Sequence, residues 1–215
     1  MTSRNLYLAS VNPGKLREFR EAALEYGIRI ESAPGLSQRA PCIEDGETFE
    51  ANACKKALYY AAGVQGLVFA DDSGICVDAL GGAPGVHSAR YAGLQASEED
   101  NNRKLMTELR RAPDSGKTQE RPPGSRERIG GFTAHYLCLI ALVEDGEVLT
   151  VTEGRVDGVI VDSPRGSGGF GYDPYFFYPP FGKTFAEITP EEKFTVSHRG
   201  IAFRKLLDYL RRHEG

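Results

Sequence analysis

Leu6-Tyr7-Leu8-Ala9 is an unbroken apolar run that ends in Ser10-Val11-Asn12-Pro13-Gly14 and gives way to apolar residues at helical spacing. Leu16, Phe19, Ala22, Ala23 and Tyr26 then share one face, so the pattern predicts strand, turn and helix. Pro13 suits a first helical turn, where its missing N–H costs nothing, and Gly27 is a natural stop. Ile28 to Ile30 reads as a second strand, and Ser32 to Gly46, with Pro34, Gly35, Pro41 and Gly46, as a loop. Phe49, Ala53, Ala57 and Tyr60 line one face of a helix expected over Thr48 to Ala62. Leu67 to Ala70 follows as a buried strand, expected to stop at Asp71-Asp72-Ser73-Gly74.

Beyond the tight Gly81-Gly82-Ala83-Pro84-Gly85 loop, Glu98 to Arg111 is amphipathic through Leu105, Met106 and Leu109. Pro113 to Gly131 loses all periodicity and reads as a mobile surface insertion. His135 to Val143 and Val148 to Val156 flank Glu144-Asp145-Gly146-Glu147, a hairpin signature. Ser163 to Pro180 is dense in glycine, proline and aromatics, and a last helix is expected over Ser197 to Arg212. Strands and helices mix without strict alternation and no linker interrupts them. The expectation is one domain over residues 1–215, α/β or α+β, with a mixed sheet.

Composition narrows the function. The chain has 215 residues, with 26 Lys and Arg against 30 Asp and Glu, a net charge of −4. Nothing in that balance favours nucleic acid or an anionic membrane, so any phosphate must be held by a local cluster. Cys42, Cys54, Cys76 and Cys138 are far apart and form no CxxC pair, which fits free thiols in a reducing cytoplasm rather than zinc or redox chemistry.

Four places carry candidate chemistry. Ser10, Asn12 and Lys15 lie at a strand-to-helix turn, where a helix start offers N–H donors to an anion. The P-loop pattern fails there at Ala9 and Leu16. The alternative is a capped helix with a surface lysine. Asp71-Asp72 at a strand end puts two carboxylates together, which suits a hard cation, with Glu44-Asp45 as further donors. The alternative is a solvated turn. Phe170 stands among glycines in Gly168-Gly169-Phe170-Gly171-Tyr172-Asp173, so a planar base has room to stack on it, unless the ring simply caps the core. Lys193 and Ser197-His198-Arg199 gather donors near a helix start, or are a serine cap with solvated bases.

Taken in order, Ser10-Val-Asn-Pro-Gly-Lys15-Leu-Arg-Glu18, Asp71-Asp-Ser-Gly-Ile-Cys-Val-Asp78, Gly82-Ala-Pro-Gly-Val-His-Ser-Ala-Arg-Tyr91, Gly169-Phe-Gly-Tyr-Asp-Pro174 and Lys193…Ser197-His-Arg199 closely resemble the inosine triphosphate pyrophosphatase family, nearly end to end. The resemblance implies an α/β fold with an elongated mixed β-sheet and flanking helices, two lobes with an active-site groove between them, and a cytoplasmic homodimer. It implies Mg²⁺-dependent hydrolysis of deaminated purine nucleoside triphosphates (ITP, dITP, XTP) to the monophosphate and pyrophosphate, which cleanses the nucleotide pool. By the same resemblance Ser10, Asn12 and Lys15 hold the phosphate tail, with Lys56 and Arg90 adding charge. Glu44 and Asp72 bind the metal, Asp72 is the proton acceptor, and Asp71 and Ser73 flank it. Phe170 stacks on the base within Phe170-Gly171-Tyr172-Asp173, and Asp173, Lys193, His198 and Arg199 read the base edge.

Two features depart from that pattern: the insertion at 113–131, and His135 where many relatives have arginine. The Maf-type nucleotide pyrophosphatases are similar in fold, but their opening motif carries Ser-Pro-Arg where this chain has Asn12-Pro13-Gly14-Lys15. A nucleotide binder without chemistry would have no need of Glu44, Asp72 and Lys15 together.

Overall fold

A computed structural model describes residues 6–24, 26–112, 117–120 and 129–213. In chain order the elements are β1 (Leu6–Leu8), α1 (Pro13–Leu24), β2 (Ile30–Ser32), α2 (Phe49–Ala61), β3 (Leu67–Val77), α3 (Glu98–Leu109) and β4 (Lys117–Glu120). They continue as β5 (Ile129–Glu144), β6 (Glu147–Ile160), β7 (Phe176–Tyr178), β8 (Lys183–Thr184), α4 (Pro190–Val196) and α5 (His198–His213). The strands form an eight-stranded sheet in the order β2-β1-β3-β5-β6-β7-β8, with β4 paired to β5. β1 runs parallel to β2 and β3, whereas β4–β5, β6–β7 and β7–β8 are antiparallel. The fold is therefore α/β with a mixed sheet.

The chain divides into two compact units, one made of Met1–Asp72, Cys138–Gly154 and His198–Gly215 and the other of Ser73–Leu137 and Arg155–Ser197. β3, β5 and β6 each contribute residues to both, which is why no linker composition marks a boundary. Among the described residues no helix is long and apolar enough to cross a membrane.

The first unit packs α1 and α5 on β3 through Phe19, Phe69 and Phe203, all fully buried, with ring centroids 5.0–6.0 Å apart. α2 starts where expected because Thr48 accepts the Ala51 N–H at 3.1 Å. Asp145 and Gly146, both at positive φ, close the two-residue hairpin from β5 to β6. At Gly154 a Cβ would lie 2.0 Å from the His198 carbonyl oxygen, so only glycine lets the start of α5 sit against β6.

The second unit has its own core of Tyr136, Phe176 and Phe185, with Leu105 and Leu109 of α3 and Ile75 and Val77 of β3 in the same cluster. Ser97 and Asp100 form a reciprocal capping box at the start of α3.

One local expectation is corrected, and two short elements, β4 and α4, stand where the pattern placed none. β3 does not stop at Asp71 but runs on to Val77, so both aspartates lie inside a buried strand. Lys117–Glu120, within the expected insertion, pairs antiparallel with Ile129–Phe132, while 113–116 and 121–128 lie outside the described residues. α4 was not expected, although Thr189 and Glu192 form a capping box around Pro190 at its start.

Candidate functional site

In the first unit the site grows from β3. Asp71 is 1% exposed and Asp72 7% exposed, a position that carboxylates hold only when paired. Three helices supply the partners. From α1, Lys15 Nζ lies 2.8 Å from Asp71 Oδ2. From α5, Arg199 Nε lies 3.5 Å from the same oxygen, and its guanidinium also pairs with Glu18 of α1. From α2, Lys56 Nζ donates to the Asp71 carbonyl at 3.0 Å and contacts Glu44 Oε1 at 3.0 Å.

Lys15 and Glu18 are three apart on α1 and therefore share a face, so charges alternate along Lys15, Asp71, Arg199 and Glu18. Burial alone would raise the Asp71 pKa, but Lys15, Arg199 and Lys56 outweigh it and hold the carboxyl well below the usual carboxylate range. Arg199 is pushed up against burial by Glu18 and Asp71, and Lys56 by Asp71, Glu44 and Asp72. Cys138, also fully buried, has its thiol raised by burial and by the Asp71 charge, so it stays protonated. All four cysteines are free, as their spacing suggested.

Asp72 differs from its neighbour. Burial raises its pKa and the Glu44 charge adds to that, partly offset by Lys56, Lys15 and a hydrogen bond from Asn52 Nδ2 to Asp72 Oδ2 at 3.1 Å. A carboxylate raised by desolvation has increased proton affinity, which is what a general base requires. Asn52 also bonds both polar groups of Gly46, accepting its N–H at 2.8 Å and donating to its carbonyl at 3.3 Å, so one buried amide ties Asp72 to the loop bearing Glu44.

The donor set suits a hard divalent cation: Glu44 and Asp72 supply two carboxylates whose mutual repulsion such an ion would relieve. Among the described residues no three His, Cys, Asp or Glu side chains form a metal cluster, so water and substrate oxygens would complete its shell.

The turn before α1 carries its own cap. Asn12 Oδ1 accepts the N–H groups of Gly14 at 2.8 Å and Lys15 at 3.2 Å, and Ser10 Oγ accepts that of Asn12 at 3.2 Å. The helix-start N–H groups are thus engaged by the cap itself. His198 is 4% exposed and opens α5 beside Arg199.

In the second unit Asp173 Oδ2 accepts from Lys193 Nζ at 2.6 Å and from the Phe170 N–H at 2.8 Å, and Oδ1 from the Tyr136 hydroxyl at 3.4 Å. The Lys193 ammonium sits 4.5 Å from the centroid of the half-buried Phe170 ring, a cation–π distance. Tyr172 is buried, with its hydroxyl donating to the Ser88 carbonyl at 2.8 Å. Arg90 is half-buried at the end of a 3-10 turn over Gly85–Arg90, and Ser73 is half-buried on β3.

The sequence singled out neither Glu18 nor Asn52. A signal existed for both: Glu18 follows Lys15 by one helical turn, and Asn52 precedes Lys56 by one.

An α/β chain whose inner strand carries an acidic pair faced by lysines and an arginine, and whose glycine loop sets an aromatic ring beside a Lys–Asp pair, is equipped to handle nucleotides. The comparison with known families agrees: the Ham1 family matches residues 6–209, and this chain belongs to it. A dITP/XTP pyrophosphatase of Geobacter sulfurreducens is 46% identical over 211 residues, 95% of this chain and 96% of the relative. One from Yersinia pestis is 43% identical, covering 97% and 98%. Among solved structures, a HAM1 protein from Coxiella burnetii superposes with a TM-score of 0.79 at 36% identity, covering 97% of this chain and 99% of that one.

Proposed function

We propose that this chain hydrolyses the deaminated purine nucleoside triphosphates dITP, ITP and XTP to the monophosphate and pyrophosphate. The observation that carries the reading is the contrast between the two aspartates of β3, one held ionised by three cations and one raised by burial. Full-length kinship to dITP/XTP pyrophosphatases supports the substrate class.

In this reading Asp72 accepts the proton of the attacking water. Lys15, Lys56 and Arg90 gather the charge of the phosphate tail, with Ser10, Asn12 and Ser73 beside it. Glu44 and Asp72 would hold Mg²⁺, which would supply charge stabilisation at the phosphoryl oxygens. Asp71 keeps Lys15 in place, and Arg199, gripped by Glu18 and Asp71, keeps Asp71 in place.

Phe170 stacks on the base, with Gly171 and Tyr172 shaping its loop, while Asp173, Lys193 and His198 address its edge. Inosine and xanthine present a 6-oxo acceptor. Adenine presents an amino group instead, leaving buried donors unpaired at about 1–3 kcal/mol each. The working form is a cytoplasmic homodimer, and an apparent mass of one chain in gel filtration would contradict the dimer.

The test is pyrophosphate release with Mg²⁺ across ITP, dITP, XTP, GTP, ATP and pyrimidine triphosphates. Preference for the deaminated purines is expected. Turnover confined to pyrimidines would move the chain toward Maf-type chemistry, and nucleotide binding without turnover would make it a binder.

A further inference from the structure

The Phe170–Gly171 segment lies in a glycine-rich loop, yet all four of its backbone polar groups are engaged. The Phe170 N–H donates to Asp173 Oδ2 at 2.8 Å, and its carbonyl accepts from the Asp173 N–H at 3.3 Å. These two bonds are local. The other two come from 73 and 69 residues away in sequence. The Gly171 N–H donates to Glu98 Oε2 at 2.8 Å, and Asn102 Nδ2 donates to the Gly171 carbonyl at 2.9 Å. Glu98 and Asn102 are four apart on α3, so one helix face grips the donor and the acceptor of a single residue.

α3 holds a second segment in the same way. Asn101 accepts the Ala92 N–H at 2.8 Å and donates to the Ala89 carbonyl at 3.2 Å, bracketing Arg90. The Tyr172 hydroxyl then ties the two segments together at Ser88. The first turn of α3 is itself fixed by the Ser97–Asp100 capping box, so the grip rides on a rigid element.

We propose that Glu98 and Asn102 are positioning residues for substrate binding: they lock the Gly171 peptide and so fix the Phe170 ring for the nucleobase. The inference rests on the reading of Phe170 as the base platform. Neither residue touches substrate in this scheme. Their contribution is preorganisation, which acts on binding rather than on the chemical step. A glycine loop without these two bonds keeps its Asp173 contacts but samples more backbone states, so the ring must be ordered at the moment of binding.

Glu98 is exposed, so its truncation leaves the core untouched. The test compares Glu98→Ala, Asn102→Ala, Glu98→Gln and Phe170→Ala with the intact chain, measuring kcat and KM for ITP and inhibition by inorganic tripolyphosphate. Glu98→Ala and Asn102→Ala are expected to raise KM roughly three- to tenfold, the scale of one hydrogen bond lost, at unchanged kcat. Glu98→Gln restores KM, because its amide oxygen accepts the same N–H. Tripolyphosphate, which has no base, inhibits all of them equally.

A wild-type KM in Glu98→Ala beside a raised KM in Phe170→Ala overturns the positioning role alone. A wild-type KM in Phe170→Ala overturns the base-platform reading, and the positioning role with it. A matching loss of tripolyphosphate inhibition, or a fall in kcat, would make Glu98 a general structural residue and also overturn the proposal.

Discussion

Asp71 and Asp173 are both almost fully buried carboxylates, 1% and 2% exposed, and the two units stabilise them by different means. Around Asp71 the compensation is ionic and comes from three helices, through Lys15, Arg199 and Lys56. Around Asp173 the cation of Lys193 is joined by a backbone N–H and a tyrosine hydroxyl. Crowding cations around one acid concentrates positive charge, as the proposed polyphosphate site requires. Sharing a cation between an acid and an aromatic face gives a directional surface, as the proposed base site requires. The first region is thus built for charge and the second for shape.

The largest expected effect separates Asp72 from its neighbour. Asp72→Asn removes the proposed proton acceptor and is expected to lower kcat by roughly 10²–10⁴-fold. Yet the same change should not weaken the fold. The folded pKa of Asp72 is raised, so its contribution to stability is present below the unfolded pKa and lost as pH rises through the folded one. At neutral pH in EDTA, Asp72→Asn should therefore melt at or above the wild-type temperature. Asp71 has the opposite sign: its folded pKa is depressed, so its stabilisation is present above the unfolded value and lost as pH falls. Asp71→Asn should lower Tm at neutral pH and flatten the loss of stability toward acid. A near-normal kcat in Asp72→Asn would remove it from the base role, and a fall in Tm for that variant would show that the two acids are not distinguished as argued.

Next in size is Arg199→Ala. It leaves Asp71 and Glu18 beside a cavity with one cation fewer, and a broken buried pair costs about 3–5 kcal/mol. For a chain of this size each kcal/mol is worth about 2–4 °C in Tm. Thermal melts would show whether the loss is that large. A shift of a degree or less would mean that water replaces the guanidinium and that the first region is less dry than its burial indicates.

This electrostatic frame explains what the sequence could and could not reveal. Helices α2 and α3 were legible because their caps are local: Thr48 and Ser97 announce them within four residues. The continuation of β3 through Asp71-Asp72-Ser73-Gly74 was not, because Asp, Ser and Gly read as turn residues and the cations that make a strand tolerable there come from residues 15, 56 and 199. β4 lacked any periodic signal, being held by its pairing with β5. α4 was legible in principle, since Thr189-Pro190-Glu191-Glu192 is a capping box with proline at the first helical position. Within the site, Lys15, Lys56, Asp71 and Asp72 do come together. Arg199 joins them through Asp71 in the first unit, and in the second unit Asp173, Lys193 and Phe170 come together.

Phe170→Ala tests the second region directly. If the ring carries the base, KM for ITP should rise by the equivalent of about 1–3 kcal/mol, with kcat changed far less. Because Lys193 loses the Phe170 ring but keeps Asp173 and the Phe185 ring, the fold should survive, and circular dichroism and Tm would confirm that. An unchanged KM would place the base elsewhere.

The smallest effects sharpen the comparison most. Thr48→Ala and Ser97→Ala each remove one helix cap, worth about 1 kcal/mol, and should lower Tm by similar amounts. Their effects on KM should differ. Loosening the start of α2 leaves Asp71 gripped by α1 and α5, so Thr48→Ala should keep the wild-type KM. Loosening the start of α3 frays the turn that holds Glu98, one of the two α3 residues bonded to Gly171, so Ser97→Ala should raise KM about twofold or more. Steady-state kinetics on ITP, run well below both melting temperatures, decides between them. Equal KM values would mean that the second region is braced as redundantly as the first, and that the contrast between ionic and directional construction has no consequence for binding.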